Sequence, residues 1–192
     1  MIPPTAHGRE NTDTQRMALT MVRGFLPLRA ADMPWNGHLN DPDADTALEN
    51  MRAVFAGDEE ERAMAATALG RLGAVGLVLV FTRAKARDVN AAAVEWLRKR
   101  IIFMSKHADE GASHHSEVVA ARIVLALAPE LNLPKGQDTE DAPAAVVALL
   151  DDDWWETIES LGLFAAEMFV RAFDTVEKAT EMIDEQLVPL LA

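Results

Sequence analysis

Apolar residues recur at intervals of three and four along nearly the whole chain, in runs rich in Ala, Leu, Met, Glu and Arg, and nowhere show the two-residue alternation of a half-buried strand. The pattern predicts helices over 13–30, 45–56, 58–86, 88–108, 113–128, 142–150 and 153–187. The expected fold is therefore all-α, a compact multi-helix bundle of about seven helices. Asp45, Asp58, Asp88, Ser113 and Asp153 each precede a periodic run, where a side-chain oxygen can accept orphan backbone N–H groups and a negative charge suits the helix dipole. The last predicted helix is the longest. Ile158, Leu161, Ala165, Met168, Ala172, Val176, Ala179, Ile183 and Leu187 keep its spacing, while Trp154, Trp155, Phe164, Phe169 and Phe173 widen the stripe beyond what a terminal helix on a small body needs for its own core.

Two stretches rich in Pro, Gly, Asn and Asp interrupt the periodicity, Met33 to Ala44 and Pro129 to Asp141. The second coincides with a change of charge and divides a helical body over 1–137 from a C-terminal helical subdomain over 138–192. The segment Ala63 to Phe81 has the length of a bilayer span, but Arg71 sits near its middle and its first half is mostly alanine, so a buried central helix is expected instead. Gly70, Gly73 and Gly76 are three apart and share one side of that helix, where another helix can approach closely. Three segments, at 57–73, 116–131 and 142–162, resemble HEAT-type repeats in their small-and-leucine texture. Their unequal intervals keep a short HEAT-like helical repeat as the alternative architecture.

Composition narrows the chemistry. The 192 residues include no cysteine and no tyrosine, which excludes disulfides, thiolate catalysis and thiolate metal sites, and a reducing cytoplasm is the expected home. The N-terminal MIPPTAHGRENTD lacks the basic-then-apolar order of a secretory signal. The net charge is -13, and its distribution says more than its sum. Residues 138–192 carry 14 acids against two bases, whereas the rest of the chain is nearly neutral. Within that neutral part, Arg83, Lys85, Arg87, Arg98, Lys99, Arg100 and Lys106 form a basic strip opposed only by Asp88 and Glu95.

Candidate sites are few. His107, His114 and Glu117 are metal-ligand types gathered between two predicted helices, yet no second His or Glu pair matches them, and a polar turn without a metal is expected. Asp41, Asp43 and Asp45 alternate as in a calcium loop, but Thr46 and Arg52 occupy the positions of the turn glycine and the bidentate glutamate. In the helix over 88–108, Arg100 projects between Trp96 and Phe103, on the side of His107. A guanidinium there needs a partner, either a bound phosphate or carboxylate or an internal ion pair. Asp151, Asp152, Asp153, Glu156 and Glu159 form an acidic cluster suited to a helix start or to a partner surface. No nucleophile-elbow spacing and no phosphate-binding glycine loop occurs.

The sequence thus points to a non-catalytic interaction subunit of a larger protein or nucleoprotein assembly, without cofactor and off the membrane. Its basic strip would contact protein or nucleic acid and its acidic end a protein or another copy. Three rivals remain: a metal-binding helical-bundle enzyme using the 107–117 cluster, an acidic DNA mimic using the C-terminal end, and a small-ligand sensor at Trp96 and Arg100.

Overall fold

The computed structural model describes residues 6–39, 41–57, 59–106, 113–128, 142–150 and 152–188. Among them lie eight helices and no strand: α1 (Ala6–Ala30), α2 (Pro42–Phe55), α3 (Glu59–Arg83), α4 (Val89–Lys106), α5 (Ser113–Leu127), α6 (Ala142–Val147), α7 (Trp154–Phe173) and α8 (Val176–Met182), the last continued by a π turn, Ile183–Leu187. They form a multi-helix bundle. The helix α7 lies against α1, α3 and α5, partners remote in sequence that a solenoid of nearest neighbours would not bring together.

The bundle is organised by α3 and α7. Arg62 stacks on Trp154, Gly73 faces Phe164, Gly76 faces Met168 and Arg83 reaches Ala172, so the two helices run parallel along their whole length. The glycine stripe works as its spacing implies. A Cβ on Gly70 would come within 2.6 Å of Leu127, on Gly73 within 2.9 Å of Phe164, and on Gly76 within 2.8 Å of the Met168 Cβ. The stripe therefore seats α5 at one end and α7 at the other. By length and composition α3 is apolar enough to cross a membrane, and half of its apolar window is buried inside the bundle.

Local signals explain where helices begin. Asp88 accepts the N–H of Ala91 at 2.9 Å and caps α4. In α2 the cap is Asp41, not Asp45. Asp41 accepts the N–H of Asp43 at 3.0 Å, and Pro42 follows at the first helical position, where a missing N–H costs nothing. Asp45 reaches back to accept the N–H of Leu39 at 2.8 Å, which pins the preceding loop to the helix. Asp153 holds the N-cap position of α7 but its side chain makes no capping hydrogen bond; Ser113 is the first residue of α5, and Asp58 lies outside the described residues.

One expectation is corrected. The helix predicted over 153–187 is two helices: Asp174 takes a left-handed conformation (φ 65°, ψ -17°) and returns its N–H to Val170, after which the Thr175 side chain caps α8 through the Lys178 N–H. The apolar spacing continues across the break, which is why periodicity alone does not reveal it. The core spans the charge boundary near residue 138. One apolar cluster runs from Ala18 to Ile183, and Leu161, Ala165 and Phe169 of the acidic end are fully buried within it.

Replacing Gly76 by Ala is expected to destabilise the protein by about 2 kcal/mol, because the new methyl meets a Cβ and a backbone carbon of α7 that cannot rotate away. Gly57→Ala, with nothing within 4 Å of the added Cβ, should change stability by less than about 0.5 kcal/mol. Urea unfolding of the two variants checks the pair.

Candidate interaction surfaces

Arg100 is half-buried and paired within the protein. Its two terminal nitrogens donate to both carboxylate oxygens of Glu167 on α7, at 3.3 and 3.1 Å, and its guanidinium lies 5.3 Å from the Trp96 ring and 5.5 Å from Phe164. Glu167 also accepts from Arg171 at 2.8 Å. The partner that the sequence demanded for Arg100 is thus a carboxylate of the same chain. Beside this pair is a small cleft reached by Arg29, Glu117 and Ser160, with a volume of about 20 Å³ that suits one water. Ser116 and Ser160 hydrogen-bond across α5 and α7 at 3.0 Å. The expected pocket of Trp96, Arg100, Phe103 and His107 is not assembled as such: Trp96 and Arg100 stack, Phe103 is 65% exposed, and His107 lies outside the described residues.

The basic strip divides into members paired with α7 and members on the outer side of α4. Arg83 donates to the Ala172 carbonyl and pairs with Asp174 at 2.9 Å, closing the C-terminal end of α7. Lys85 (φ 55°) turns the chain out of α3, and Arg87 is exposed beside it. On the outer face of α4 stand Arg98, Lys99 and Lys106, all exposed. Lys99 pairs with Glu95 at 2.7 Å and holds that carboxylate below its ordinary pKa through the hydrogen bond and the charge. Arg98 and Lys106 make no ion pair among the described residues. Between these cations the face exposes Ile102 (56%) and Phe103 (65%). Ile102 was invisible as a site residue in the sequence, since helical angles show which residues share a face but not which side of α4 its neighbours leave open.

The acidic cluster also divides. Asp152, Asp153 and Glu156 are exposed, close to the acidic first turn of α3 because the two helices run parallel, whereas Asp151 lies outside the described residues. Glu159 is not part of that surface. Burial raises its carboxyl above the ordinary pKa, while hydrogen bonds from the Trp35 and Trp155 indoles and the charge of Arg52 oppose the shift and Glu156 adds to it. Trp35 in turn packs edge-on against Phe25 at 4.9 Å, so Glu159 fastens the 31–39 loop to α7. A second acidic row was missed as a separate feature: Glu177, Glu181 and Glu185 are exposed on α8 and its π turn.

Of the proposed metal ligands, His107 and the His114 side chain lie outside the described residues, and Glu117 is half-buried on α5. No group of three potential ligands occurs among the described residues. No protein-family model, curated protein or solved structure matches the chain.

Two outcomes test these assignments. Arg100→Ala should cost about 2 kcal/mol of unfolding free energy, the scale of hydrogen bonds to a charged group, read by urea titration. Glu159 has its raised pKa only when folded, so the stability it contributes is complete below the ordinary value of 4.5 and is lost as pH rises through the raised value. Glu159→Gln keeps an acceptor for the indoles and removes the charge. Its melting temperature should equal or exceed that of the wild type at pH 7, and the advantage should disappear towards pH 4.

Proposed function

We propose that this chain is a non-catalytic helical interaction subunit that docks through the outer face of α4 onto an acidic protein surface. The observation that carries the reading is the composition of that face: Ile102 and Phe103, two large apolar side chains more than half exposed, bracketed by Arg98, Lys99 and Lys106. Exposed aromatic and aliphatic anchors within a charged rim are what a protein interface uses, the anchors for affinity and the charges for steering. The members of the basic strip paired with α7 serve the fold instead. Arg83 and Arg100 are committed to α7, and Lys85 and Arg87 stand on the turn between α3 and α4, which leaves Arg98, Lys99 and Lys106 as the cations of the α4 face. The acidic residues support the same reading from the other side. With Asp152, Asp153 and Glu156 at one place and Glu177, Glu181 and Glu185 at another, the protein presents both signs in separate patches.

The test is to immobilise the wild type and a variant with Glu at Arg98, Lys99 and Lys106, and to compare the proteins each retains from a lysate of the source organism at about 0.1 M and about 1 M salt, where the screening length falls from about 10 Å to about 3 Å. Retention by the wild type at low salt, lost in the variant and weakened at high salt, is expected. Identical sets retained by wild type and variant would overturn the proposal. Retention of nucleic acid alone, read by gel shift, would replace the protein partner by a nucleoprotein one.

A further inference from the structure

We infer that Arg98 of α4 and Arg122 of α5 form a clamp for one carboxylate of the partner protein, so that the docking face is the outer seam between α4 and α5 and not α4 alone. This rests on the reading that the protein docks through α4 onto an acidic protein, and it names the group that is bound and the second helix that binds it.

The contacts of α7 place the two arginines side by side. Trp96 of α4 meets Phe164, with ring centroids 6.2 Å apart, and Phe164 and Val124 of α5 both flank Gly73. Further along α4, Arg100 shares one cleft with Ala120, which precedes Val124 on α5. The two helices are therefore antiparallel, with residue 96 level with 124 and residue 100 level with 120, and Arg98 falls level with Arg122. Arg100 and Ala120 face α7. A residue two positions away on a helix points to nearly the opposite side, so Arg98 and Arg122 both stand towards solvent, and both are exposed. Ile101, Met104, Val118 and Ala121 pack together and close the seam between the two helices. Helices packed in this way lie about 8–10 Å apart, a separation that two arginine side chains bridge with one carboxylate between them.

The charges support the same arrangement. Neither arginine makes an ion pair among the described residues. On α4 and α5 the described carboxylates are Glu95, which Lys99 holds, and Glu117, which is half-buried in the cleft on the α7 side. Two guanidiniums at one level, with no carboxylate of the described residues between them, add their fields at the seam, and an oxyanion placed there relieves the repulsion. Each guanidinium offers a planar fork of N–H donors that suits a carboxylate, and forks from two helices approach its two oxygens from either side. Ile102, one turn from Arg98 and 56% exposed, supplies apolar contact beside the charge. Arg83 and Arg100 behave differently because α7 gives each of them a carboxylate within the chain. Arg98 and Arg122 leave that place to a partner.

The probe is a fluorescein-labelled peptide of about ten glutamates, titrated with the full chain at about 50 mM salt, where screening is weak, and followed by anisotropy. Arg98→Ala and Arg122→Ala should each weaken binding about fivefold, the scale of a surface charge pair. Because both hold one carboxylate, the double variant should lose clearly less than the product of the two. Both arginines are exposed, so the variants should keep the wild-type melting temperature, which circular dichroism checks. Arg122→Lys keeps the charge and loses the fork, and it should weaken binding as well. Lys178→Ala removes the same unit of charge from α8 and should leave the affinity unchanged. No binding by the wild type, an unchanged affinity in Arg122→Ala, a full product in the double variant, or an equal loss in Lys178→Ala would each overturn the inference. If the clamp fails but the triple Glu variant at Arg98, Lys99 and Lys106 still loses proteins that the wild type retains, docking through α4 stands without it. If the triple variant loses nothing, both fail. Tighter binding of a single-stranded DNA of equal charge, lost in the same two alanine variants, would assign the clamp to phosphate and overturn the carboxylate.

Discussion

The close parallel contact of α3 with α7 is the constraint on which the rest of the molecule depends. Gly73 and Gly76 bring the α3 backbone so near that the Phe164 ring and the Met168 Cβ occupy the space a side chain would fill. Once these two helices are joined, the remaining ones have little choice. Leu127 and Ile123 of α5 follow the same stripe at Gly70, while Phe25 and Met21 of α1 close on Gly162 from the other side of α7. Each glycine gives up helix propensity, a cost of about 1 kcal/mol relative to Ala, which the dispersion contacts of the closer approach offset.

Parallel packing creates an electrostatic problem, since it sets two helix dipoles side by side with like ends together. The sequence answers it at both ends. Glu59, Glu60 and Glu61 open α3 and Glu156 opens α7, while Arg83 and Arg171 close them. Arg83 goes further and binds the Ala172 carbonyl and Asp174, so the last turn of α3 reinforces the left-handed cap at which α7 ends and α8 departs. The cations nearest the core are thus spent on helix ends and on Glu167. Those left for partners are the ones that α4 turns outward.

The candidate surfaces follow from the same division. A charge that faces α7 finds a carboxylate or a carbonyl, as Arg83 and Arg100 do, and ceases to be available. On the outer side of α4 Lys99 is held by Glu95 while Arg98 and Lys106 make no ion pair among the described residues, and α4 and α8 lie on different flanks of the central pair. The bipolarity visible in the chain therefore survives folding, but in fewer residues and in different places from those the linear order suggested.

The sequence by itself determined the helical class, nearly every helix position, the glycine contact and the need of Arg100 for a partner, because periodicity, glycine spacing and the cost of burying a charge are local facts. Only the tertiary structure decided that the partner is Glu167, since the two lie 67 residues apart and no spacing rule connects them. It likewise turned Glu159 inward beneath two indoles, one of them from the loop at Trp35. It broke the final helix at Asp174, where an unbroken apolar pattern conceals the change of direction. It left Phe103 exposed although the helix places it one border away from the buried face. Each of these depends on which neighbour covers a given side of a helix, and that is settled only when α3 and α7 have packed.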